Sequence, residues 1–198
     1  MQKNRIFQGI AGLVILAGVA RYVYALTQVP WTPAFGAAGA AFVLISVAVA
    51  WLLLHRHPGR PENPWWLPVG MIAAAGLCGV VPFVNSAYLA AAQELPDAVT
   101  YLFSSIPEET AKLLAAFLVI AAFAPVRRPV EAAVVGMAIG AGYTVAETVN
   151  NSAIAAALDL QSEYYDGVAS MLVMVVTGPF SHAVYTCLLY TSLMARGR

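Results

Sequence analysis

The chain has 198 residues, of which 61% are hydrophobic and only 10% charged, against roughly a quarter charged in an ordinary soluble domain. Ten basic residues balance ten acidic ones, which argues against a nucleic-acid or polybasic lipid-binding role. Such a chain belongs in a lipid bilayer.

Six apolar stretches are expected to cross it, at 6–26, 34–54, 66–92, 98–124, 130–158 and 168–195. Each reaches the roughly 20 residues that a helix needs to span the hydrocarbon core. No strict alternation of apolar and polar residues supports a closed barrel. The predicted fold is therefore all-α, a polytopic bundle of about six transmembrane helices in a single integral domain (1–198). Its functional core is expected over about 98–195, the last three stretches.

The first stretch follows Lys3 and Arg5, but no small-x-small cleavage site follows it. It is read as a retained helix rather than a signal peptide. Arg21, near its outer end, can snorkel to the headgroups. After the second stretch, HRHPGRPENPWW carries turn-forming Pro and Gly and ends in an interfacial pair, Trp65 and Trp66. His55 and His57 are expected to be exposed loop residues, with no further ligand nearby for a metal.

Basic residues occupy alternate connections: Lys3 and Arg5, Arg56 and Arg60, Arg127 and Arg128, Arg196 and Arg198. The others carry Gln28, then Glu94 and Asp97, then Asp159, Glu163 and Asp166. The positive-inside rule places both termini in the cytoplasm.

In the third stretch Pro82 stands near Asn85 and Ser86, which are candidates to line a cavity. Cys78 and Cys187 read as buried small hydrophobes without a disulfide. In the fourth stretch, IPEETAKLLAAF, Pro107 precedes Glu108 and Glu109, and Lys112 follows at helical spacing from both. The fifth carries Gly136 and Gly140 as a GxxxG step, then Tyr143, Glu147 and Asn150 or Asn151 on one face. The sixth carries Gly178-Pro179, His182, Tyr185 and Thr186.

Ionised groups are costly here, roughly 2.5–3.5 kcal/mol for an aspartate at mid-bilayer. Such residues read first as a functional site. Glu109 is twelve residues inward of Asp97, Glu147 twelve before Asp159, and His182 fifteen after Gly167. At about 1.5 Å of rise per residue these separations are roughly 18, 18 and 22 Å. Three consecutive helices thus bring polar groups to one level near the midplane. Prolines lacking an N–H predict opened backbone around it. Two adjacent carboxylates resist double ionisation, and a lysine that offsets one leaves the other able to act as a general base on water.

The order EExxK, then YxxxE, then HxxxT resembles the PrsW family of intramembrane proteases. It is similar to the larger superfamily of CAAX-processing and bacteriocin-processing proteases, with EExxxR, FxxxH and HxxxN on successive helices. Glu108, Glu109 and Lys112 match the first motif, Tyr143 and Glu147 the second, and His182 and Thr186 the third. The resemblance covers roughly 104–191. It departs at Thr148, where PrsW-like chains usually carry asparagine; Asn150 or Asn151 stands one turn on.

The resemblance implies peptide-bond hydrolysis in the membrane, with Glu108 deprotonating a water, helped by Glu109. Glu147 and His182 would hold that water, either directly or, with Glu108, as ligands of one divalent metal ion, zinc above all. Thr186, Tyr185, Asn150 or Asn151 would serve the oxyanion. The implied substrate is a single-pass membrane protein of the anti-sigma-factor kind, and the location a bacterial cytoplasmic membrane. Two other readings use the same buried cluster. A non-catalytic scaffold, of the kind found in the γ-secretase assembly, gains only about 0.6 kcal/mol per polar contact between membrane helices. A proton or ion transporter would favour an inverted repeat, which is not evident.

Overall fold

The computed structural model describes residues 2–29, 31–91, 96–123, 125–158, 168–169 and 171–173. Six helices longer than a few residues lie among them: α1 (Gln2–Thr27), α2 (Pro33–Leu54), α3 (Trp66–Cys78), α4 (Val81–Ala91), α5 (Asp97–Ala122) and α6 (Pro129–Leu158). No strand occurs among the described residues. Three segments, Arg5–Thr27, Phe35–Leu54 and Pro129–Ala156, are long and apolar enough to cross a membrane. The sixth predicted stretch lies largely outside the described residues.

The third predicted stretch is two helices, α3 of 13 residues and α4 of 11. Neither alone reaches the roughly 20 residues of a span. The interruption falls at Gly79 and Val80, whose amides bond back to Gly76 and Leu77 at 3.1 and 3.0 Å. Pro82 then sits in the first turn of α4, where its missing N–H costs no helical bond within α4. By contrast, α5 runs through Pro107 without interruption. Of the prolines expected to open the backbone, Pro82 follows the α3–α4 joint, Pro107 removes one N–H from a continuous α5, and Pro179 lies outside the described residues.

Helix α6 packs most extensively on α3 and also touches α2 and α5; α3 in turn packs on α1 and α5, and α4 on α5. The spanning segment of α6 is 83% buried, that of α1 only 17%. The main core joins Leu67, Ala74 and Leu77 of α3 to Ala115 and Val119 of α5 and Val135, Ile139 and Tyr143 of α6. Small residues bring these helices close. A Cβ on Gly18 of α1 would stand 2.8 Å from the carbonyl of Gly76 in α3. On α6 the predicted GxxxG glycines are buried, and Gly142 marks a close backbone approach to Met71 of α3. Polar links add direction: Tyr22 donates to the Ala146 carbonyl at 2.8 Å, and Gln8 to the Ala122 carbonyl at 2.8 Å.

Two interfacial expectations are revised. Trp65 is 66% exposed, but Trp66 is only 2% exposed and belongs to the core. His55 and His57 are half-buried rather than exposed; His55 stacks on Trp51, and Nδ1 of His57 accepts from the Gly59 amide at 3.0 Å. Arg21 places its guanidinium 5.4 Å from the centroid of the Tyr24 ring.

A polar clasp joins the connections before α3 and before α6. Asn63 donates its side-chain amide to the Phe123 carbonyl. Glu131, in the first turn of α6, accepts from the Arg127 and Arg128 amides at 2.7 and 3.4 Å and pairs with Arg128 Nε at 2.8 Å. This is the capping geometry that helix N-termini favour, with Pro129 opening the helix. Glu131→Ala is expected to cost about 1–2 kcal/mol. The check is a lowered thermal midpoint in detergent, against which Glu62→Ala serves as the neutral comparison.

Candidate functional site

The residues of α6 at 143, 147, 150, 151 and 154 follow helical spacing and so share one face. They meet the first turns of α4 and the middle of α5 around a cavity of about 340 Å³. Its lining comprises Cys78, Val81, Pro82, Asn85, Ser86, Glu108, Tyr143, Glu147, Asn150, Asn151 and Ile154. The closed end lies at the buried Cys78 and Tyr143; Ser86, Asn151 and Ile154 are exposed at the other. On the far side of Val81 an apolar cleft of about 220 Å³ runs between α4 and α5, along Val84, Ile106, Pro107 and Leu114.

The two glutamates of the fourth predicted stretch part company. Glu108 lines the cavity. Glu109, about 100° further round the helix, pairs with Lys112 at 2.7 Å, its side chain 41% exposed and that of the lysine 0%. The buried ammonium also lies 4.5 Å from the centroid of the Tyr143 ring, a placement that the face of an aromatic ring favours. Tyr143 joins the two groups: its ring faces the lysine, and it lines the cavity with Cys78, Glu108 and Glu147. A low-dielectric site thus holds one lysine, with a carboxylate to neutralise it, behind a wall that bears two more carboxylates.

The tertiary structure therefore brings Glu108, Glu147, Tyr143, Asn150 and Asn151 together, with Asn85 and Ser86 from α4. Glu109 and Lys112 stand behind the lining. Thr148, which occupies the family's usual asparagine position, is buried with its hydroxyl unpartnered among the described residues. It is not part of the lining. His182, Tyr185 and Thr186 lie outside the described residues, as do Gly178, Pro179 and Cys187. Cys78 and Ile154 were not singled out from the sequence as site residues. Their only signals there are positional: Cys78 is one helical turn before Pro82, and Ile154 continues the α6 stripe.

Among the described residues no three His, Cys, Asp or Glu side chains gather as a metal-holding group. Glu108 and Glu147 nevertheless supply two anionic oxygen donors to one cavity, and zinc accepts such donors beside a histidine. The donor chemistry fits the expected ion as far as the described residues go.

A family model described as PrsW family intramembrane metalloprotease matches residues 63–196. No curated protein and no solved structure matches the chain.

Proposed function

Because the chain belongs to the PrsW family of intramembrane metalloproteases, we propose that it is an endopeptidase that uses a glutamate-activated water at mid-membrane. The observation that carries this reading is the meeting of Glu108 from α5 and Glu147 from α6 in one polar cavity. The protein is an integral membrane protease of helical build. Its further features in this reading are six spans, cytoplasmic termini, a single domain with its core near 98–195, and a bacterial cytoplasmic membrane. The motif order supports placing the family beside the CAAX-processing and bacteriocin-processing proteases.

Glu108 acts as the base, taking a proton from water as the oxygen attacks the scissile carbonyl and returning it to the leaving amine. Glu109 assists by pairing with Lys112 beside the site. Glu147 and His182 orient the water. Asn150 or Asn151, at the cavity wall, or Tyr185 or Thr186, stabilises the oxyanion. Glu147, His182 and Glu108 would hold a divalent metal ion, zinc in the first instance, which when bound supplies Lewis acidity and lowers the pKa of water.

With both termini inside, the cavity opens toward the outer half of the bilayer. The apolar cleft shares Val81 with it, so an apolar substrate span has a dry approach to Glu108. The substrate is a single-pass membrane protein, anti-sigma-factor-like in topology.

The test is reconstitution with candidate single-pass substrates in proteoliposomes. Wild type is expected to cleave, and Glu147→Gln and His182→Ala to lose both cleavage and bound metal. Chelation is expected to reproduce that loss, and added zinc to reverse it. Intact substrate in every lane, across several substrates and with zinc present, would refute the protease reading.

A further inference from the structure

Asn85 is a polar residue of the cavity to which the family motifs assign no role. It lies in the second turn of α4 and lines the same cavity as Val81 and Glu108. Its Oδ1 is buried and has no hydrogen-bond partner among the described residues. An orphaned amide oxygen costs stability, and an apolar side chain of similar size would avoid that cost. The neighbouring groups do not answer it. The Ser86 hydroxyl donates to the Pro82 carbonyl, and the carboxylates of Glu108 and Glu147 are themselves acceptors.

Hydrolysis brings two kinds of donor into such a cavity, water and the peptide N–H. Water is already provided with acceptors by the two glutamates. The peptide is not. A span in lipid keeps its N–H and C=O groups bonded within its helix, and a bond can be cut only after local unwinding frees them where no bulk water replaces the lost partners. An asparagine side chain offers one acceptor and two donors, the complement of one peptide unit.

Building on the protease reading, we infer that Asn85 is a substrate-binding residue. Its side-chain amide accepts from a main-chain N–H and donates to a main-chain carbonyl of the unwound segment beside Glu108. Recognition of this kind reads the main chain and is indifferent to substrate sequence. It gives α4, cut from α3 by the break at Gly79, a task of its own.

The test uses the full chain in nanodiscs and a fluorescent synthetic span of about 20 Leu and Ala residues with a central Gly-Gly to free the main chain. Glu108→Gln protein, whose turnover is expected to be slowed at least about a hundredfold, is expected to bind this peptide, and adding Asn85→Leu to weaken binding about tenfold. Asn85→Ala, which adds no bulk, should give the same loss. The thermal midpoint of Asn85→Leu should equal or exceed that of its parent. With a cleaved substrate, Asn85→Leu should raise KM about tenfold while kcat stays within about threefold.

Absence of peptide binding by the Glu108→Gln protein, or equal affinity with and without Asn85, overturns the assignment. So does a fall in kcat at unchanged KM, which would tie Asn85 to water instead, or a fall in affinity that merely follows a lowered midpoint. Because binding is read without turnover, it holds even where wild type cleaves nothing, and in that case only the protease reading fails.

Discussion

Glu108→Gln is expected to lower cleavage by about 10²–10⁴, the range that a positioned general base contributes, with the thermal midpoint unchanged. The substitution keeps the shape of the side chain and removes its basicity. The contrast with Glu109→Gln gives the experiment its force, since two adjacent carboxylates meet different surroundings. Glu108 lines the cavity, whereas Glu109 turns to the buried ammonium of Lys112 at 2.7 Å. Removing the Glu109 charge takes the ion-pair carboxylate from a buried cation. That variant should lose stability first and activity in consequence. Cleavage by Glu108→Gln above one tenth of wild type, or a loss in Glu109→Gln as large with full stability, would show that the base has been assigned to the wrong carboxylate.

Gly142→Ala should destabilise the protein by about 1–3 kcal/mol, the usual cost of overpacking, and lower activity further than stability. A Cβ on Gly142 would stand 2.5 Å from both Cα and O of Met71. These are backbone atoms of α3, so no side-chain rotation relieves the contact and the helices must separate. Alanine's helix propensity, worth up to about 1 kcal/mol over glycine, acts in the opposite direction and is outweighed. Tyr143 adjoins the site of strain and Glu147 lies little more than a turn beyond it, so a displacement of α6 moves one wall of the cavity. Misplacement by about 1 Å can cost on the order of 10² in rate. Gly70→Ala is the control, because its Cβ would meet Ala138 Cβ at 3.5 Å and Ile139 at 3.7 Å, ordinary contact. It should be neutral or stabilising. Equal midpoints for the two variants in thermal unfolding would discard the packing argument.

Much of the helical framework was legible in the residues. The predicted first, second, fourth and fifth stretches agree with α1, α2, α5 and α6 to within a few residues at each end. Apolar runs between turn-forming, charged loops are a local property, and lipid rewards them locally. That α5 and α6 each carry a glutamate, Glu108 and Glu147, within an apolar helix was also legible, because the residues state it directly. Their meeting in one cavity needed the packing of α5 and α6 around α3.

Three features depended on neighbours. The break in the third stretch falls at Gly79, where a Cβ would stand 2.7–2.8 Å from Tyr22 of α1, not at the proline that the sequence makes conspicuous. The different surroundings of Glu108 and Glu109 follow from the rotation of α5 against its neighbours. The same holds for Trp65 and Trp66, adjacent aromatics of which only one is in the core. Burial was hidden for a deeper reason. In water, an apolar face announces where a helix is covered. In lipid, a side chain facing the bilayer is as apolar as one facing a helix, so α1 and α6 look alike in composition although one is largely bare and the other enclosed. The residues themselves determined that the chain enters the membrane and which polar groups accompany it there. Only tertiary packing decided which of those groups share a cavity.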